Sequence, residues 1–411
     1  MTSSTIEFHN SADSVITRTH YKTLWASTIG YALDGLDMMI LAFTLPLISV
    51  YFGLSPTEAG GIVTVTLIGA VIGGIVFGML ADKYGRIRVF SWTILIFSLF
   101  TGVCAIAPNI ETFTIARFIA GLGLGGEFGI GMTLVAETWP KNYRSRATSI
   151  VAIGFQVGIL LASLSVYLFA PAYGWQGVFL IGVFPAIFAW WSRRSLDEPE
   201  LWREVQRQHK NKIDLKPLFA NRKTATVTFG LIIATSVQNF GFYGIMTWMP
   251  TMLAKELGYQ LGGTLVWSLS TIFGMMLGTL VFGWLCDKWG RRPSYITFLL
   301  VASVFIWIYF QQTSFVVLVL FGSLLGFFVN GMMGGYGALL SEHYPTEARS
   351  TAQNVIFNLG RGVAGFAPAI IGFLSVKYSL SSALTLLSGV YLLSALAFIF
   401  LIPETKGKTL N

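Results

Sequence analysis

Gly78-Met-Leu-Ala-Asp82-Lys-Tyr-Gly85-Arg86 returns 205 residues later as Gly283-Trp-Leu-Cys-Asp287-Lys-Trp-Gly290-Arg291. A second stretch, Glu137-Thr-Trp-Pro140-Lys-Asn-Tyr-Arg144-Ser, returns at the same spacing as Glu342-His-Tyr-Pro345-Thr-Glu-Ala-Arg349-Ser. Two separate motifs sharing one offset make chance a poor explanation. The chain is a duplication of one unit.

Around these motifs the chain is too apolar for a water-soluble fold. Of 411 residues, 54% are hydrophobic and 11% charged, whereas soluble domains carry about 25% charged residues. Ile62–Met79, Leu164–Trp191, Ile296–Phe310 and Val316–Leu340 contain no Asp, Glu, Lys or Arg. A membrane-spanning helix needs about 20 such residues. Runs between charged or Pro/Gly-rich breaks predict twelve spans, near 22–50, 58–81, 88–107, 111–136, 146–170, 174–192, 225–253, 263–285, 294–311, 314–340, 350–375 and 380–402. Lipid offers no partners for open backbone groups, so each span is a helix. The alternation of a membrane β-barrel is absent. The expected fold is an all-α membrane protein of two pseudo-symmetric six-helix bundles. Residues 1–192 form one bundle, 193–224 a cytoplasmic linker, and 225–411 the second bundle.

Charge placement fixes the expected orientation. With the N-terminus inside, 23 of the 27 Lys and Arg residues fall in cytoplasmic segments, nine of them between Arg193 and Lys223. Lys255 and Lys377 fall outside, and Arg117 and Arg361 lie within spans. By the positive-inside rule both termini are cytoplasmic, in a cell (inner) membrane. The net charge of +8 thus reports topology. No basic, aromatic-interleaved domain points to nucleic acid. The polar N-terminal stretch does not read as a signal peptide. The linker contains Leu196-Asp-Glu-Pro-Glu-Leu-Trp202 and reads as carrying an amphipathic helix at the membrane surface. Cys104 and Cys286 suggest neither a disulfide framework nor a metal site. His9, His20, His209 and His343 lie away from span centres, and no cofactor is implied.

Each repeated motif has a physical reading. Gly78 and Gly283 allow close packing at the inner ends of spans 2 and 8. Asp82 and Asp287 suit capping of the next helix start and pairing with arginines such as Arg86 and Arg291. Glu137 and Glu342 sit at the inner ends of spans 4 and 10, within reach of the clusters around Arg144 and Arg349. Together these groups would latch the cytoplasmic side. The plain alternative is a helix-turn anchor without a gating role.

These residues resemble the major facilitator superfamily, whose Gly-x-Leu-x-Asp-x-x-Gly-Arg loop stands in both halves. The resemblance covers essentially the whole chain and implies alternating access around a central site. Asp34-Gly-Leu-Asp37 in span 1 and Arg117-Phe-Ile-Ala-Gly-Leu-Gly-Leu-Gly-Gly-Glu127 in span 4 resemble the aromatic-acid and sialate/proton symporters, with niacin and lactate carriers nearby. Gly125-Gly-Glu127 followed by Glu137-Thr-Trp-Pro140 is closest to the sialate branch. Sugar/proton symporters share the Asp of span 1 and the Arg of span 4, here Asp37 and Arg117.

Asp34, Asp37, Arg117, Glu127 and Arg361 sit well inside spans. A charge at mid-bilayer costs at least about 2.5–3.5 kcal/mol, so such groups mark pathways by default. Asp34 and Asp37, three apart, share a helix face. Two close carboxylates in low dielectric resist ionising together, which suits proton carriers. Arg117 is placed to pair with Asp37, and protonation of Asp37 would free it for a substrate carboxylate. The alternative is a static buried pair. Glu127 reads equally as an inward proton relay or as a packing group among glycines.

Asn354, Asn358 and Arg361 fall at i, i+4 and i+7 on one face of span 11, which should look into the cavity. A guanidinium flanked by amides makes a good carboxylate site. Gln238, Asn239 and Tyr243 in span 7, Gln156 in span 5 and Asn330 in span 10 complete the expected substrate site. Helix–helix hydrogen bonds are the alternative for each amide.

The leading expectation is a proton-coupled symporter importing a small organic anion such as sialate, an aromatic acid, nicotinate or lactate. A sugar symporter is the runner-up, since amides line sugar sites well. A drug/proton antiporter fits worse, because Gly154-Phe-Gln-Val-Gly158 in span 5 carries no Pro. A sensor would need an appended soluble domain. An enzyme is disfavoured, because no nucleophile triad, phosphate loop or metal cluster is visible. By analogy with this architecture the expected state is a monomer in the bilayer.

Overall fold

The computed structural model describes residues 16–54, 56–208, 216–253, 257–258 and 261–410, and among them the regular structure is helical throughout. The predicted Lys255, the linker residues 209–215 with Lys210, Lys212 and His209, and His9 lie outside the described residues. Eleven helical stretches among those described are long and apolar enough to cross a membrane. One of them, Arg144–Ala189, has 46 residues. At 1.5 Å per residue it measures about 69 Å, more than twice a ~30 Å hydrocarbon core. Gly174, at φ 64° and ψ −171°, breaks its helical geometry and turns the chain between spans 5 and 6. Only glycine takes that backbone without strain. The result is the expected twelve spans.

The first four are continuous helices, Arg18–Phe52, Pro56–Tyr84, Arg86–Ala105 and Ile110–Thr138. Span 5 starts at Arg144, and span 6 ends with the helix Pro185–Ser195. Spans 7, 8 and 9 are Arg222–Thr251, Leu261–Trp289 and Arg291–Tyr309. The last three are interrupted. Span 10 is Phe315–Gly331 and Met333–His343, span 11 is Arg349–Ala364 and Ala367–Lys377, and span 12 is Leu380–Thr385 and Leu387–Phe400. Side-chain caps from Asn109 to Thr112 N and from Asn221 to Thr224 N, both at 2.9 Å, start spans 4 and 7.

The two bundles repeat the same packing. A Cβ on Gly73 would stand 1.9 Å from Leu122 O, so spans 2 and 4 touch backbone to backbone. The counterparts 205 residues on are Gly278 and Phe327 O, at 2.3 Å, between spans 8 and 10. Without a hydrophobic drive between helices in lipid, such small-residue contacts supply the packing. Between bundles, span 11 lies against spans 2 and 4, while span 5 lies against spans 8 and 10. The linker helix Glu200–Gln208 is docked on protein. Its Trp202 Nε1 and Gln206 Nε2 donate to Asp82 O at 2.9 and 3.2 Å.

Candidate substrate site and gate

Midway along the bundles, both halves line a small central cavity. Its polar wall is Gln156, Gln238, Asn239, Tyr243, Asn330 and Arg361, six of the residues singled out by sequence. Its apolar wall includes Phe242, which follows the amides of span 7, and Tyr31, Phe155 and Phe357, which periodicity alone did not separate from ordinary core. Three amides form a chain across the halves. Gln156, its carboxamide oriented to satisfy both ends, accepts from Asn330 Nδ2 at 3.1 Å. Gln238 Nε2 donates to Asn330 Oδ1 at 3.2 Å and to Val329 O at 2.8 Å. Gln238 Oε1 is buried and unpartnered.

Among the described residues Arg361 is the one charged group on this wall. It is 2% exposed, and its guanidinium stands 5.4 Å from the centre of the Phe357 ring. Its Nη2 lies 3.5 Å from Asp34 Oδ2 in the other half. That contact is loose. Neither Asp34 oxygen has a hydrogen bond, and Arg361 Nε and Nη1 have none either. Buried charges usually satisfy their remaining donors and acceptors. This pair leaves two donor nitrogens of Arg361, buried at the cavity wall, without a hydrogen bond.

Asp34 and Asp37, which the sequence places on one face, therefore meet different arginines. Asp37 pairs tightly within its own half. Arg117 Nη2 donates to its Oδ2 at 3.0 Å, Thr101 Oγ1 donates to its Oδ1, and Arg117 Nη1 donates to Thr101 Oγ1 at 3.2 Å. Arg117 is fully buried and lies 5.9 Å from the Phe179 ring centre, away from the cavity lining. Glu127 is also buried within the first half. Thr93 Oγ1 donates to its Oε1, and its Oε2 has no partner.

Asn354 and Asn358 are placed differently from the expectation. Only Arg361 of their shared face reaches the cavity. Below Phe357, span 11 closes on span 4, and both asparagines bond to span 4 backbone at 3.2 and 2.8 Å. At the same level Phe128 of span 4 and Phe357 of span 11 stack, with ring centres 3.6 Å apart and an 18° interplanar angle.

At the end carrying the repeated loops, the residues singled out for a latch meet in two matching sets of ion pairs. Glu137 Oε1 holds Arg86 of its own half at 3.0 Å and Arg349 of the other at 2.8 Å. Glu342 Oε1 holds Arg291 at 2.8 Å and, across the halves, Arg144 at 2.9 Å. Asp82 pairs with Arg86 at 2.8 Å and Asp287 with Arg291 at 3.3 Å. The caps differ from the sequence expectation. Asp82 accepts from Ser350 N and Thr351 N, at 3.2 and 2.8 Å, at the start of span 11. Asp287 accepts from Ser145 N and Arg146 N, at 3.2 and 3.1 Å, at the start of span 5. Each aspartate stands two residues before the end of its helix and points across to the other bundle, where a helix N-terminus attracts it.

The next helix starts are capped by residues that sequence reasoning missed. Glu198 accepts from Ile87 N and Arg88 N, both at 3.1 Å. Glu404 accepts from Arg291 N at 2.9 Å and Arg292 N at 3.0 Å. The available signal was an acid beside a proline after the last span of each half, Glu198-Pro199 and Pro403-Glu404. Their order is reversed, so a fixed offset does not align them.

Comparison with known proteins adds a consistent frame. The profile of the Major Facilitator Superfamily matches residues 27–278 and 264–411. A Haemophilus influenzae "putative metabolite transport protein" is 50% identical over 95% of this chain and 98% of its own length. The Escherichia coli sialic acid transporter NanX is 31% identical over 94% of this chain and 95% of its own. Among solved structures, the proton:xylose symporter XylE bound to 6-bromo-6-deoxy-D-glucose superposes with a TM-score of 0.80. That match has 20% identity and covers 95% of this chain and 98% of the other.

Proposed function

The chain belongs to the Major Facilitator Superfamily, and from that premise we propose that this multi-pass membrane transporter is a proton-coupled symporter importing a small organic anion by alternating access. The observation that carries the reading is Arg361, buried at the central cavity with two donor nitrogens that have no hydrogen bond and a loosely held counter-ion, Asp34. A substrate carboxylate offers the paired acceptors that a guanidinium fork takes best. Binding it displaces Asp34, which then takes a proton rather than remain a buried, unpaired charge. Proton and anion thus enter together, and Asp34 returns to Arg361 when both have left. The relationship to a sialic acid transporter supports an organic anion.

Asp37 with Arg117 and Glu127 are further stations for the proton within the first half. Gln156, Gln238, Asn239, Tyr243 and Asn330 orient the body of the substrate. Residues 1–192 and 225–411 are the rocking units, joined by the 193–224 linker. The positive-inside count puts the latch end and both termini in the cytoplasm, and the cross-half pairs of Glu137 and Glu342 hold that end shut in the state described.

The test is uptake of radiolabelled sialate, aromatic acids, nicotinate and lactate into proteoliposomes with an imposed pH gradient. Gradient-driven accumulation of at least one acid is expected. Arg361→Ala should weaken its binding at least about tenfold, as loss of a charge-assisted contact worth ~1.5–3 kcal/mol requires. The amide wall favours a sugar as second reading. Robust sugar uptake with no uptake of any acid would establish that reading instead.

A further inference from the structure

Beside the Phe128–Phe357 stack, two hydrogen bonds join spans 4 and 11 in an uncommon way. Gly129 N donates to Asn354 Oδ1 at 3.2 Å, and Asn358 Nδ2 donates to Gly125 O at 2.8 Å. Gly125 C=O and Gly129 N–H stand four residues apart, so in an α-helix each is the other's natural partner. The two asparagines, themselves four apart on span 11, thus address both ends of one rung of span 4. Both are fully buried. Glycine makes the approach possible. A Cβ on Gly129 would stand 2.3 Å from Asn354 Cγ, and one on Gly74 would stand 2.4 Å from Asn358 Nδ2.

A gate of hydrogen bonds in an apolar core normally strands donors and acceptors when it opens, and that is costly. This one strands little. If spans 4 and 11 part, Gly129 N–H and Gly125 C=O can satisfy each other within span 4. The amide nitrogens also keep partners on their own helix: Asn354 Nδ2 donates to Ser350 O at 3.0 Å, and Asn358 Nδ2 to Asn354 O at 2.9 Å. Closed, Asn358 Oδ1 alone of this set lacks a partner, and opening adds only Asn354 Oδ1, so the two states stay close in free energy, the condition for a switch.

The other seam between the halves lacks this device. The counterparts of Gly129 and Asn354, 205 residues away in each case, are Gly334 and Ser149. There the cross-seam bond is from Thr148 Oγ1 to Gly334 O, at 3.0 Å.

We propose that Asn354 and Asn358, clasped on the Gly125–Gly129 rung beside the Phe128–Phe357 stack, form the inner gate that separates the central cavity from the latch end. They act as positioning residues for the closed state and do not bind substrate.

The experiment uses the full-length protein in detergent and a buried reporter. Cys104 and Cys286 are both free and buried and are first replaced by serine. Met132→Cys is then added, because Met132 is fully buried on span 4, its sulfur 2.6 Å from where a Cβ on Gly337 of the other half would stand. The readout is the rate of maleimide labelling. Asn354→Ala with Asn358→Ala should raise it about tenfold, the population shift expected on losing two net hydrogen bonds. Gly129→Ala, which obstructs closure, should do the same. Asn358→Ala alone, which spares the Asn354 bond, should give a smaller rise. A parallel set retaining Cys104 in place of the Met132→Cys reporter serves as the fold control, and its labelling should stay slow. Unchanged Met132→Cys labelling in these variants overturns the proposal. So does an equal rise at Cys104, which would mean general loosening. No substrate is used, so the result is independent of whether the cargo is an organic anion.

Discussion

Asp37 and Arg117 show what a completed intramembrane pair looks like, and so what Asp34 and Arg361 lack. Arg117 reaches Asp37 at 3.0 Å, with Thr101 bridging the two. Breaking a buried pair leaves a bare charge and costs about 3–5 kcal/mol. Arg117→Ala should therefore lower unfolding stability by about that amount, read by thermal unfolding in detergent, while adding Asp37→Asn should recover much of it. The five intramembrane charges were legible because a membrane span tolerates so few. Their partners were legible only in part. Arg117 sits opposite Asp37 inside one bundle, and sequence reasoning paired them. The Asp34–Arg361 contact crosses the bundles, and local helix periodicity carries no record of how span 11, docked on spans 2 and 4, brings Arg361 to Asp34. The same limit explains Asn354 and Asn358. Their common face with Arg361 was readable, but the point where the cavity ends and the helix seam begins was not.

Span ends were readable to within a few residues, because lipid imposes length and the loops carry the charge. Interruptions inside spans 10 and 12 were not, since Met332 and Leu386 are apolar and leave hydropathy unbroken, whereas the break in span 11 carries a signal in Gly365 and Pro368 that hydropathy passes over. The loop turns are the clearest case of sequence dictating an element. Gly85 and Gly290 have φ of 112° and 118°, a region closed to residues with a Cβ. A Cβ there would also stand 2.4 Å from Glu198 Oε1 and 2.7 Å from Glu404 Oε2. Each turn thus makes room for the carboxylate that caps the following helix. Glu198→Ala and Glu404→Ala should each cost about 1 kcal/mol of stability through loss of the cap. Chemical denaturation of the purified variants, followed by tryptophan fluorescence, measures it.

At the scale of the molecule, the duplication built one set of cross-half ion pairs twice and left the centre unsymmetrical. Glu137 and Glu342 each serve an arginine of their own half and one of the other. Parting the halves removes only the second partner, so neither carboxylate is left bare. Glu137→Gln instead leaves Arg86 and Arg349 together without their anion. It should shift the closed-to-open balance by at least about 1.4 kcal/mol, or tenfold, read as longer distances between spin labels placed on the loops of the two halves. In the core the repeat is broken. Asp34 corresponds to Asn239 and Arg361 to Gln156, so one opposed pair of charges spans the two halves with no twin.

That pair has an electrical consequence. In the proposed cycle the empty site holds one cation and one anion, Arg361 and Asp34. The loaded site holds Arg361, the substrate carboxylate and a protonated Asp34, again one of each. Neither the loaded nor the empty reorientation then moves net charge. The membrane potential, worth about 2.3 kcal/mol per charge per 100 mV, has nothing to act on. A potassium diffusion potential set with valinomycin should leave uptake unchanged, while each unit of pH gradient, worth about 1.36 kcal/mol, should set roughly a tenfold limit on accumulation.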